Sequence, residues 1–348
     1  MSIRLKSVTK RFGSHAALKD VSLLIEERDF FVVLGPSGCG KSTLLRSIAG
    51  LERIDGGEIH LGSTVVAGPQ RHVDPEERNV GVVFQSYALW PHMSVRQNVA
   101  FPLEAAKASR QRVLGRTATC LETVQLTPYA ERKPADLSGG QRQRVALARC
   151  LAQGATTVLM DEPLANLDPH LRSSMEEELA EFHARSGATT LFITHDQREA
   201  MALASKVALM WKGEVLQADA PEVLYDRPAN ERVASFIGRS TILPAEVVRV
   251  RGDRALVSIA GQTFEMPCRT DTQEGPAKAM IRPEHVRTSG EGRRLEGHVD
   301  RVTYRGGYWE ANLRVAGQDQ PVLVNLGHKA TVGEPLAISL ESGWLLPE

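Results

Sequence analysis

Phe30-Phe31-Val32-Val33-Leu34-Gly35-Pro36-Ser37-Gly38-Cys39-Gly40-Lys41-Ser42-Thr43 is a strand, a glycine-rich turn and a helix start in direct succession. The continuous apolar run Phe30 to Leu34 has the length and composition of a strand buried on both faces. Gly35 to Ser42 then fits GxxxxGK[ST], between the strand and the helix that the pattern requires. Ser42 to Ala49 reads as that helix, with Gly50 as its stop signal. The glycines let backbone amides curl around an anionic phosphate, and the helix directs its positive end at the same point. Lys41 is expected to bridge the β- and γ-phosphates and Ser42 to ligate Mg²⁺, so Gly35, Pro36, Ser37, Gly38, Cys39, Gly40, Lys41, Ser42 and Thr43 form the expected nucleotide cradle.

Outward from this turn, buried strands alternate with helical patterns. Val80 to Phe84, Thr157 to Met160 and Thr189 to Ile193 are short apolar runs of the same kind, and a charged helical stretch, Leu171 to Ala184, lies between the last two. Residues 95–150 are mostly helical in pattern, with Pro128 and Pro134 as breaks. The expected fold class is an α/β P-loop domain around a mainly parallel sheet, with an inserted helical subdomain at about residues 86–150. Asp161 and Glu162 close one buried run. A carboxylate there has little structural use, because an unpaired buried charge is costly. Asp161 is the expected partner of the Mg²⁺ shell. Glu162 is placed to orient or deprotonate an attacking water, although a charge stabilising a helix start would also sit here.

After about Arg239 the pattern changes to short alternating runs separated by turns such as Arg251-Gly252-Asp253 and Arg305-Gly306-Gly307. These predict a small all-β barrel or sandwich, OB-like in type, with domains at 1–238 and 239–348. Lys plus Arg total 42 and Asp plus Glu total 42, so zero net charge gives no support for nucleic acid as a partner. The four cysteines, Cys39, Cys120, Cys150 and Cys268, form no CxxC pair and read as reduced thiols of a cytoplasmic protein. His285, His298 and His328 are too scattered for a metal site. The N-terminus has no apolar signal-peptide core, and no run approaches the ~20 apolar residues of a spanning helix. A membrane role is therefore expected to come through a partner.

Leu137-Ser138-Gly139-Gly140-Gln141, followed by Arg142-Gln143-Arg144-Val145-Ala146-Leu147-Ala148-Arg149, resembles the signature of ATP-binding cassette (ABC) ATPases. The family's other motifs follow the same order over residues 3–235. Phe12 resembles the aromatic that stacks on adenine, and Gln85 the Q-loop glutamine, with a part in the Mg²⁺ shell. Leu164 to Asp168 resembles the D-loop, and His195 the switch histidine. The resemblance implies catalytic roles for Lys41, Gln85, Glu162 and His195. It further implies that Ser138, Gly139, Gly140, Gln141 and Asp168 contact ATP in a head-to-tail homodimer. Two positions depart from the family pattern: Ala165 replaces the usual D-loop Ser, and Arg28 stands where Gly is common.

Tyr87 to Val95 resembles the segment of bacterial importer ATPases that docks a cytoplasmic helix of the membrane permease, though its aromatic residues could equally be helical-subdomain core. Ile281-Arg282-Pro283-Glu284-His285-Val286 resembles the TOBE domain of such importers. The resemblance implies ATP and Mg²⁺ as cofactors, and integral membrane permeases and a periplasmic or extracellular solute-binding protein as partners. It also implies a peripheral position on the cytoplasmic face of the cell membrane. Tyr304 to Glu310 is most similar to the ferric-iron branch, with polyamine, sulfate, phosphonate and sugar as alternatives. A soluble ABC ATPase uncoupled from transport is the competing reading, and a non-hydrolysing regulatory binder a third.

Overall fold

The computed structural model describes residues 1–165, 169–288 and 293–347. Contacts divide the chain into two compact units, Met1–Pro221 and Glu222–Glu348.

The first unit begins with β1 (Ile3–Phe12), β2 (His15–Ile25), β3 (Phe30–Leu34) and α1 (Lys41–Ala49). Then come β4 (Gly56–Leu61), β5 (Thr64–Gly68), β6 (Arg71–His72) and β7 (Val80–Val83). Three helices follow, α2 (Val95–Ala105), α3 (Arg110–Thr123) and α4 (Gly139–Gln153). The unit ends with β8 (Thr157–Asp161), α5 (Pro169–Ser186), β9 (Thr189–Thr194), α6 (Gln197–Leu203), β10 (Lys206–Trp211) and β11 (Glu214–Asp219).

Two sheets result. One is five-stranded and antiparallel, in the order β2-β1-β4-β5-β6, and the other six-stranded, in the order β11-β10-β3-β9-β8-β7. In the second every pairing is parallel except that of edge strand β11. One core joins them: Leu5, Ile25 and Ile59 from the antiparallel sheet, Phe31, Val33, Leu159 and Ile193 from the parallel one, and Leu44, Leu45 and Ile48 from α1. All five residues of β3 are buried, as expected for a central parallel strand. The expected P-loop α/β fold with its helical insertion is what the chain adopts, and α2, α3 and α4 make up the insertion. Pro128 and Pro134 sit in the first turns of short 3₁₀ helices, Thr127–Tyr129 and Pro134–Asp136, where a missing N–H costs nothing. No helix among the described residues is long and apolar enough to cross a membrane.

The second unit opens with α7 (Pro221–Asp226) and α8 (Glu231–Phe236). Its strands are β12 (Thr241–Arg251), β13 (Arg254–Ile259), β14 (Gln262–Pro267), β15 (Gly275–Ile281) and β16 (Val286–Arg287). They continue through β17 (Leu295–Tyr304), β18 (Trp309–Val315), β19 (Val322–Leu326), β20 (Pro335–Leu340) and β21 (Trp344–Leu346). Two antiparallel five-stranded sheets, β14-β13-β12-β15-β21 and β16-β20-β17-β18-β19, enclose one core that includes Leu243, Val257, Ile281, Leu313 and Val324. This is the expected all-β domain.

The division falls earlier than the 238/239 boundary read from the sequence. Buried Arg282 donates to the carbonyls of Ile237 (2.6 Å) and Tyr225 (2.6 Å), and the Trp344 indole donates to that of Pro228 (3.2 Å). Ala234 packs against Met280, Trp344 and Leu346. Residues 222–238 therefore belong to the β-rich unit, although their helical pattern continues the style of the first. A chain ending at Pro221 should stay soluble and melt cooperatively. One ending at Gly238 exposes Ala234 and loses the partners of Tyr225 and Ile237, so it should melt lower and aggregate. Melting curves and light scattering of the two truncations read this directly, and equal behaviour would contradict the division.

Candidate nucleotide site

The parallel register sets the site. Leu34 pairs with Thr194 and Asp161 with Ile193, so β3, β8 and β9 end within one residue of each other, and their next residues emerge along one edge. Val83 pairs with Met160, which brings the turn carrying Gln85 to the same edge. The carboxyl edge of a parallel sheet is where such folds bind ligands.

The loop between β3 and α1 is built by close approach. A Cβ on Gly35 would meet the Met210 carbonyl oxygen at 2.3 Å, and one on Gly40 the Ala17 carbonyl oxygen at 2.3 Å, so neither admits a side chain. Gly40 is also the N-cap of α1, at φ 108°, and no side chain caps that helix. The first turn of α1 carries no acidic residue. Its orphan amides and dipole are thus left for an external anion. By contrast, α2, α3 and α4 are capped by Ser94, Ser109 and Ser138. Thr43 lies in the first turn of α1, and its carbonyl accepts from Ser47 (2.9 Å). Ser37 and Gly38 are exposed, whereas Cys39 is buried and burial pushes its thiol pKa up.

Lys41 is 4% exposed. Its ammonium donates to the carbonyls of Gly35 (2.8 Å) and Pro36 (3.1 Å) and lies 4.0 Å from the Glu162 carboxylate. Ser42 Oγ donates to Asp161 Oδ1 at 2.9 Å, joining the start of α1 to the end of β8. Glu162 sits at φ 45°, a left-handed conformation costly for a residue with a Cβ. Its amide donates to the Ile193 carbonyl (3.1 Å), and its Oε2 lies 3.2 Å from Nδ1 of His195. Four of the expected residues, Lys41, Ser42, Asp161 and Glu162, are therefore brought together, with His195 on the far side of Glu162. Phe12 ends β1, about half exposed at 47%, with the Lys10 ammonium 4.9 Å from its ring.

The signature residues are engaged differently. Ser138 Oγ accepts from the Gln141 amide (3.3 Å), and the Gln141 side chain accepts from the Ser138 amide (3.0 Å), a reciprocal capping box. The first turn of α4 has no acidic residue, and the box takes the amides of Ser138 and Gln141 but not those of Gly139 and Gly140. Asp168 lies outside the described residues. Arg28 takes φ 66°, which accounts for glycine being common at this turn in the family it resembles.

With this geometry established, comparison with known proteins is decisive. Residues 18–165 match the family model described as ABC transporter, and residues 279–346 the model described as TOBE domain. A spermidine/putrescine import ATP-binding protein of Pseudomonas aeruginosa is 44% identical over 306 residues, covering 87% of this chain and 82% of that protein. The chain belongs to the TOBE-containing import ATPases of the ABC transporter family. An Fe(3+) ions import ATP-binding protein of Rhizobium etli is 40% identical over 88% of this chain and 86% of its own length. A dimeric ATP-binding cassette solved in a post-hydrolysis state bound to ADP and Pi superposes with TM-score 0.55 at 32% identity, covering 63% of this chain and 98% of that one. This ABC protein is accordingly an ATPase that binds ATP through the P-loop domain.

Sequence reading missed Arg78. It is 2% exposed and donates to the carbonyls of Ser47 (2.7 Å), Ile48 (2.9 Å), Val73 (2.8 Å) and Val66 (3.2 Å), so it caps the far end of α1. Burial brings its pKa down to about 10. No local pattern around Arg78 announces this, because three of its four carbonyl partners, those of Ser47, Ile48 and Val66, lie 12 or more residues away. Arg78→Met should strand four carbonyls and destabilise the first unit by roughly 3–5 kcal/mol. Denaturant titration with and without ATP measures it; a change below ~1 kcal/mol would mean that water replaces the guanidinium.

Proposed function

We propose that this ABC ATPase powers solute import by closing head-to-tail on ATP, the P-loop of one copy and residues Ser138 to Gln141 of another meeting the same nucleotide. The observation that carries the reading is the uncapped start of α1, set against the cluster of Lys41, Asp161, Glu162 and His195. An uncapped helix start suits an anion, and α4, whose capping box takes only the Ser138 and Gln141 amides, offers a second, partly open one. A single γ-phosphate needs only one cradle per chain, which favours a shared site. The dimeric state of the solved cassette described above supports the same arrangement.

Within that site Lys41 exchanges its two loop carbonyls for the β- and γ-phosphates. Glu162, held between Lys41 and His195, accepts the proton of the attacking water. With Nδ1 turned to Glu162, the other ring nitrogen of His195 is left to meet the γ-phosphate. Gln85 follows β7 on the same edge and senses the occupied site, and Phe12 offers a ring face to adenine. The oxygens of Ser42 and Asp161, with Gln85, form a hard-oxygen set with few carboxylates, which fits Mg²⁺ rather than a fully protein-ligated metal. When bound, Mg²⁺ would neutralise charge developing on the phosphates. The signature contacts and the role of Asp168 rest on family resemblance.

The partner of transport is an integral membrane permease, with a solute-binding protein outside. A groove of about 830 Å³, lined by Trp90, Phe101, Pro102, Arg112, Arg149 and Gln153 among others, gives a cytoplasmic helix of that permease a place to dock. Tyr87 is buried and serves the core, whereas Trp90 is half-buried at the groove, against Phe101 at 4.2 Å. On this reading the subunit works at the cytoplasmic face of the membrane. The ferric-iron resemblance of Tyr304 to Glu310 gains no support over polyamine, since relatives named for each cargo match at 40% and 44% identity.

Glu162→Gln should keep ATP affinity yet slow hydrolysis by roughly 100- to 10,000-fold, the usual reach of a general base. Turnover near the wild-type rate would put the base elsewhere. The shared site has its own test. Lys41→Ala and Ser138→Arg should each disable both sites of a homodimer, while mixing the two leaves one interface with an intact P-loop and an intact signature. The mixture should regain ATP-driven dimerisation in sedimentation experiments. If Ser138→Arg alone hydrolyses ATP at the wild-type rate, independent of dilution, each subunit works by itself.

A further inference from the structure

Tyr87 and Ala88, just past Gln85, are consecutive non-glycine residues in the left-handed region, at φ 61° and 46°. Such a pair persists only where its surroundings over-determine it. Both carbonyls are held by one side chain. Arg149 donates through Nη1 to the Ala88 carbonyl (2.7 Å) and through Nη2 to that of Tyr87 (3.1 Å). The same guanidinium lies 5.0 Å from the ring centroid of Trp90. At its two ends the segment is tied elsewhere. The Tyr87 hydroxyl donates to the carbonyl of Pro163 (3.3 Å), next to Glu162, and Asn98 of α2 holds the amide and carbonyl of Trp90 (2.9 and 3.2 Å).

Arg149 stands ten residues beyond Gly139 on the helix that starts at the signature, a rigid span of about 15 Å. Its fork thus connects three things: the signature helix, the turn after Gln85, and the aromatic wall of the groove. We propose that Arg149 is a positioning residue that couples nucleotide closure to the docking groove, fixing the turn Tyr87–Trp90 to α4 so that the two move as one body. The inference rests on the importer reading for its consequence in transport, but not for the coupling itself. A planar fork is needed, because a lysine ammonium reaching the same place cannot hold two carbonyls in fixed geometry.

Two measurements separate these. In the isolated subunit, hydrogen exchange over residues 86–93 should change on ATP binding. Arg149→Ala should abolish that change while leaving the ATP-induced protection of residues 41–49 intact, and Arg149→Lys should restore it in part. In the transporter purified with this subunit, Arg149→Ala should lower permease-stimulated hydrolysis and uptake by about 5- to 150-fold, the range of an allosteric coupling, and basal hydrolysis of the free subunit by much less. An undiminished exchange response at residues 86–93 in Arg149→Ala overturns the proposal. So does a loss of basal hydrolysis as large as the loss of stimulated hydrolysis, which is the mark of a merely structural residue. If the exchange results hold but the wild-type subunit couples to no permease, the importer reading fails and the positioning role stands.

Discussion

The parallel pairing of β9 with β3 on one side and β8 on the other is the constraint on which the site depends. Parallel strands about 4.8 Å apart, ending within one residue of each other, deliver the residues after Leu34, Asp161 and Thr194 to one edge without any side chain having to reach far. A one-residue slip of β8 would turn Asp161 to the other face of the sheet and break its contact with Ser42. The apolar runs of these strands are buried throughout, so the core itself holds the register.

Against that fixed edge, the start of α1 is the unsatisfied part. Lys41 turns back on two carbonyls of its own loop, and the orphan amides of α1 lack the serine cap given to each helix of the insertion. Glu162 adds backbone strain, held by its amide bond to Ile193 and by Ala165 donating back to its carbonyl (3.2 Å). A fold that holds donors and strain in place before the ligand arrives has stabilisation in reserve for binding. Nucleotide that engages these groups stabilises the folded state by mass action.

The chemistry of this site was legible because its motifs are contiguous and sit where strand turns into helix. Phe30 to Leu34, Gly35 to Ser42 and Asp161-Glu162 each announce themselves within a few residues. The strands of the antiparallel sheet were mostly not legible. β2 and β5 mix buried and exposed positions, β4 is mostly half-buried, and β1 carries several register shifts against β2. The domain boundary was misread for a related reason: α7 and α8 have helical patterns like those before them, and only contacts distant in sequence assign them to the β-rich unit. Tyr87 and Trp90 look alike in the sequence, yet one faces the core and the other the groove.

The residues hidden most completely from sequence reading are two arginines that solve one problem in the two units. Arg78 gathers carbonyls at the end of α1, and Arg282, 1% exposed, gathers those of Tyr225, Ile237 and Arg239 while lying 4.0 Å from the Tyr225 ring centroid. Among the described residues neither has a carboxylate within 4.0 Å; both are held by backbone oxygens. Burial lowers the pKa of each, so the charge is disfavoured there. What offsets it is the number of carbonyls that would otherwise be buried unpaired where segments converge from different elements. A lysine has a single donor centre and deprotonates more readily when buried, so it could not span such a junction. Both arginines therefore mark places where chain segments meet without a ladder to satisfy them. In the first unit that junction supports the nucleotide helix, and in the second it binds residues 222–238 to the β-rich core.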